Sequence, residues 1–134
     1  MKKTLTLIAV LTSLLMLIIV AGCGAANGFT ASKSGGGYTV ELQSDHNPLV
    51  AGDNAMQIAI TDAKGAVTDA QVKVVASMPA MPGMPAMSAT TKTELSGKTY
   101  NANVELMMAG SWTLSVVIDR NGAKQKIDFA VDAH

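Results

Sequence analysis

The sequence predicts an all-β fold, an immunoglobulin-like antiparallel β-sandwich of about seven strands. Three observations predict it. From Tyr38 onward the apolar residues recur at every second position, the segments between them carry turn chemistry, and no stretch of about ten residues there repeats with a helical period. The six alternating runs follow in order. Tyr38, Val40 and Leu42 alternate with Thr39, Glu41 and Gln43, and Met56, Ile58 and Ile60 with Gln57, Ala59 and Thr61. Val72, Val74 and Ala76 alternate with Gln71, Lys73 and Val75. Tyr100, Ala102, Val104 and Leu106 do so with Asn101, Asn103 and Glu105. The last two runs are Trp112–Ile118 and Ile127–Val131. Each reads as a strand with one buried face.

The separators are Asp62-Ala63-Lys64-Gly65, Ser96-Gly97, Ala109-Gly110 and Arg120-Asn121-Gly122. Asn121-Gly122 is a strong hairpin signal, because both residues tolerate positive φ. The expected core is Ile58, Ile60, Val72, Val74, Tyr100, Val104, Trp112, Leu114, Val116, Ile127 and Phe129. A small barrel is the main architectural alternative. With one cysteine in 134 residues there is no internal disulfide, so burial must carry the stability. This length allows a single folded domain.

The N-terminus reads as an address. Lys2 and Lys3 precede an uncharged apolar run from Leu5 to Ala21, which fits a secretory signal. Val20-Ala21-Gly22-Cys23 resembles the bacterial lipobox. That resemblance implies cleavage before Cys23, acylation of its thiol and a stable membrane anchor. Residues 1–22 are then signal peptide, residues 23–37 the lipidated cysteine and a flexible glycine-rich linker, and residues 38–134 the folded domain. Removing residues 1–22 takes two of ten basic residues and none of the ten acidic ones, leaving a net charge of −2. The expected location is the cell envelope, lipid-anchored and facing the periplasm or exterior. The same resemblance implies that Gly24 after the cysteine, in place of a retaining aspartate, favours an outer membrane where the organism has one.

The composition narrows the function. Near-zero net charge gives no basic stripe for nucleic acid. No Ser–His–Asp grouping, phosphate loop or convergent carboxylate pair points to an enzyme. Methionine is the oddity, with nine in the chain. Met1 and Met16 leave with the signal, and Met56 falls on a core face. Met78, Met81, Met84 and Met87 stand at a strict spacing of three in Met78-Pro79-Ala80-Met81-Pro82-Gly83-Met84-Pro85-Ala86-Met87. Proline pushes each preceding methionine toward extended geometry. A polyproline II run, with three residues per turn, sets all four sulfurs along one edge. Gly83 can bend the run and bring its halves together.

Thioethers are soft ligands that select Cu(I) or Ag(I) and need no deprotonation. A three- or four-ligand site requires the bend at Gly83, or help from Met107, Met108 or His46. The competing reading is an adaptable apolar surface for a protein partner or for packing. Met107 and Met108 are adjacent on a strand, so at most one faces the core. His46 lies in a polar turn, His134 is expected to fray, and Asp62 and Asp69 read as turn-formers.

Residues 46–132 resemble the YtkA-like domain, related to FixH-type proteins. The resemblance rests on Ala51-Gly52-Asp53-Asn54, Thr61-Asp62-Ala63-Lys64-Gly65, Asp69-Ala70, Met78-Pro79-Ala80-Met81, Gly97-Lys98-Thr99-Tyr100 and Met107-Met108-Ala109-Gly110-Ser111-Trp112. It implies an extracytoplasmic immunoglobulin-like sandwich, with a looser association with copper handling and oxidase assembly. The chain carries no histidine within or beside the Met-Pro loop, where some relatives carry one, and this favours an all-thioether site. The expected function is therefore Cu(I) or Ag(I) binding by an anchored lipoprotein, with a copper-handling partner. The alternative is a non-metal module docking the same loop on an envelope protein.

Overall fold

The computed structural model describes residues 28–134. The expected signal peptide, Cys23 and the first residues of the expected linker lie outside them. Ten strands follow in order: β1 (Phe29–Gly35), β2 (Tyr38–Ser44), β3 (Gly52–Asp62), β4 (Gly65–Ala66), β5 (Gln71–Met78), β6 (Met87–Lys92), β7 (Glu94–Ser96), β8 (Thr99–Leu106), β9 (Gly110–Arg120) and β10 (Ala123–Ala133). One sheet has the order β1-β2-β3-β8-β7, with β4 on β3. The other has the order β10-β9-β5-β6, and every pairing between named strands is antiparallel. This is the expected sandwich.

The alternation works as anticipated. All eleven residues of the expected core are buried. Val40, Leu42, Leu49, Val67, Leu106, Ile118 and Val131 join them. Met56 is also core. Trp112, Leu114, Val116 and Ile118 along β9 oppose Ile58, Ile60, Val104 and Leu106 of the other sheet within one continuous cluster. The Asn121-Gly122 hairpin forms as predicted, with φ of +54° and +81°.

The linker assignment needs correction. Phe29–Gly35 is a strand paired with β2 along its whole length, from Phe29 opposite Ser44 to Gly35 opposite Tyr38. The glycines are a turn, not a tether: Gly36 and Gly37 take φ of +59° and +86°, which suits a two-residue hairpin. Phe29 and Ala31 pack against the core. The sandwich therefore begins at Phe29.

Arg120 clasps the sheets at one end. Its guanidinium donates to Asp62 Oδ2 at 2.9 Å and to both carboxylate oxygens of Asp69, each at 2.9 Å. Asp62 is also the turn-former expected, since its Oδ1 accepts the Lys64 amide at 2.8 Å. That amide first, and Arg120 second, hold the Asp62 carboxyl below its ordinary value. The Ser115 hydroxyl, 2.6 Å away, and then Lys126 do the same for Asp128.

A carboxyl whose pKa is depressed by folding contributes stability above its unfolded value and loses it as pH falls through the folded one. The urea midpoint is thus expected to hold between about pH 5 and 7 and to drop below about pH 4, near the ordinary aspartate value. Asp128→Asn makes that drop shallower. A midpoint that rises on acidification contradicts this account.

Candidate functional site: the methionine-rich end

The methionine run does not form a straight edge. Val72, Val74 and Ala76 carry β5 through the core, and Met78 ends it, fully buried. The chain leaves through Pro79 and returns as β6, with Met87 directly opposite Met78. Between them Met81 and Met84 face each other across a tight turn. The Met81 amide donates to the Met84 carbonyl at 3.0 Å and the Met84 amide to the Met81 carbonyl at 2.9 Å. Pro82 and Gly83 form the corner. Proline presets the first corner residue, and Gly83 supplies φ of +82°, the left-handed conformation a type II turn demands at the second.

The four methionines are therefore two cross-strand pairs, Met78 with Met87 and Met81 with Met84. The bend at Gly83 is as anticipated, but the single polyproline edge is not. Hairpin pairing satisfies backbone groups that a polyproline run leaves to solvent. Burial separates the pairs. Met78 is in the core and Met87 packs against it, whereas Met81 is 43% exposed and Met84 is half-buried.

The β8–β9 corner meets the hairpin at this end of the sandwich. Gly110 takes φ of +139°, and a methyl placed on it would lie 2.8 Å from the Met78 Cε. Met78 thus reaches the strand start that follows Met107-Met108-Ala109. Met108 packs against the core, its carbonyl accepting the Trp112 indole N–H at 3.0 Å, and Met107 is 51% exposed. One of the two faces inward and one outward, although both lie in the β8–β9 connection and not on a strand as expected.

Both histidines lie at the same end. His46 is exposed in the β2–β3 connection, with its Nδ1 3.6 Å from Asp45 Oδ1. His134 does not fray at its backbone: its amide donates to the Leu49 carbonyl at 2.9 Å, and its carbonyl accepts from Ala51 at 3.0 Å. Sequence reasoning overlooked this pinning because it depends on a parallel bridge between Leu49 and Ala133.

Sequence reasoning also passed over Asn54. Its buried amide donates to the Val50 and Gly52 carbonyls and accepts the Val50 N–H, and so fixes the 49–52 segment that holds His134. A polar side chain interrupting the alternation of β3 was the available signal.

Charge is unevenly distributed along the sandwich. Asp45, Asp53, Glu105 and Asp132 lie at the methionine end. Every lysine and arginine among the described residues is on a strand segment or turn nearer Arg120. No group of three or more His, Cys, Asp or Glu side chains converges as a metal cluster among the described residues. The soft donors here are thioethers.

Solved structures with the same architecture include FetP from uropathogenic Escherichia coli strain F11. It is 7% identical, with a TM-score of 0.56, covering 78% of this chain and 95% of that one. Another is copper-reconstituted P19 from Campylobacter jejuni, 10% identical, with a TM-score of 0.52, covering 79% and 94%. No curated protein matches the chain. Residues 33–117, from the middle of β1 to near the end of β9, match the YtkA-like family, and the chain belongs to that family.

Proposed function

We propose that this protein is a lipid-anchored extracytoplasmic module that binds Cu(I) or Ag(I) through the thioethers of its Met-Pro hairpin. The observation that carries the reading is the hairpin itself. It folds a four-methionine repeat into two facing pairs beside Met107 and Met108, with Met81 and Met107 open to solvent. Thioethers bind soft monovalent ions without releasing a proton. The carboxylates at this end favour approach of a cation. Copper in the similarly folded P19 supports the choice of metal. Met78, Met81, Met84 and Met87 are the proposed ligands, with Met107 and Met108 as neighbours able to complete an all-thioether set. Pro79, Pro82 and Pro85 order the loop.

Competition against a chromophoric Cu(I) chelator tests this on the intact protein. Stoichiometric binding is expected, at about micromolar affinity or tighter, and is lost when the four loop methionines become leucine. No binding, or binding that survives the leucines, overturns the metal assignment. Function retained in cells by the leucine variant favours the alternative, an apolar hairpin docked on an envelope protein, because leucine keeps the contact but not the ligand. The anchor has its own readout. Mass spectrometry of the mature protein is expected to show an acylated Cys23 at its N-terminus, and an intact Met1 end contradicts it.

A further inference from the structure

The opposite end of the sandwich carries a second feature, independent of the methionines. An open groove of about 500 Å³ runs from the outer face of the β10-β9-β5-β6 sheet to β7 of the other sheet, lined by Gln71, Lys73, Lys92, Leu95, Lys124 and one carboxylate, Asp119. Lys73 and Lys92 stand directly opposite each other across β5 and β6. Like charges at that position destabilise a sheet. Neither lysine has a carboxylate within ion-pair distance among the described residues, and Lys124 has only Asp119, at 3.9 Å. Leu95 is 48% exposed, so the cationic rim encloses an apolar contact. β6 is the terminal strand of its sheet, which leaves a backbone edge beside the groove.

We propose that this groove receives an extended acidic segment of a partner protein. Its carboxylates meet Lys92 and Lys73, an apolar side chain lies on Leu95, and its backbone follows the β6 edge. Charge complementarity and the open edge together favour such a segment. A protein is favoured over a lipid surface, because a bilayer offers no backbone to pair with the open β6 edge.

The test uses the full-length protein in neutral nanodiscs without copper, and a fluorescein-labelled peptide of repeating Glu-Glu-Leu. Saturable anisotropy is expected. It weakens about ten-fold or more in Lys73→Glu/Lys92→Glu and falls with added salt. A Lys-Lys-Leu peptide does not bind. Lys92→Glu alone is expected to melt at the same temperature or higher, because it turns a like-charge pair into an opposite one. Lost binding then reports on the groove and not on unfolding. Absence of saturable binding, or equal binding by the double variant, overturns the proposal. So does lysine-dependent binding to phosphatidylglycerol vesicles with no binding to the peptide.

Discussion

Asn54→Leu is expected to lower the unfolding free energy by about 3 kcal/mol, one of the largest losses available from a single polar side chain in this fold. Leucine keeps the number and branching of the side-chain heavy atoms but leaves the Val50 N–H and the Val50 and Gly52 carbonyls without their amide partner. Each buried group left unpaired costs about 1–3 kcal/mol, and partial rearrangement or hydration of the loop brings the sum down. The loss extends beyond β3, because the 49–52 segment accepts and donates the bonds that hold His134 at the end of β10. Urea unfolding followed by Trp112 fluorescence measures the effect. A change within about 0.5 kcal/mol of wild type, the usual range for a surface site, contradicts the role assigned to Asn54.

Trp112→Ala is expected to cost about 3–5 kcal/mol. Small domains have about 5–15 kcal/mol in total, so the variant stands near the limit of folding. Trp112 is almost fully buried at the start of β9, and no disulfide compensates for the cavity. Its indole N–H also satisfies the Met108 carbonyl, which links core packing to the corner that presents Met107. Trp112→Phe keeps most of the packing and loses that bond, for about 1 kcal/mol. Unfolding of both variants is followed by circular dichroism, since the only tryptophan is removed. Equal costs for alanine and phenylalanine would mean that the ring contributes little packing.

Strands with one wholly buried face were legible in the sequence, because alternation is a local signal. The runs from Tyr100 and Trp112 are examples. The strands that escaped notice lack that signal. In β1 only Phe29 and Ala31 pack inward among small and polar neighbours, and the Gly36-Gly37 turn resembles a flexible tether until β2 is seen to pair back onto it. Likewise β6 is an edge strand of Ser, Thr and Lys, half exposed throughout.

Missing β6 obscured the site as well. The three-residue methionine repeat favours polyproline geometry when the loop is taken alone. The return strand instead places Met87 opposite Met78, and the Pro82-Gly83 corner closes the hairpin. The identity of the four residues was readable from the sequence, but their pairing was not. His134 shows the same limit, since its anchoring depends on Leu49, eighty-five residues away.

X-ray absorption of the Cu(I)-loaded protein tests the central claim most directly, because it reports the donor atoms themselves. The proposed thioether site predicts a first shell of sulfur alone, unchanged when His46 is replaced by alanine and lost when Met78, Met81, Met84 and Met87 become leucine. A nitrogen or oxygen shell, with the outer-shell pattern of imidazole, would contradict it.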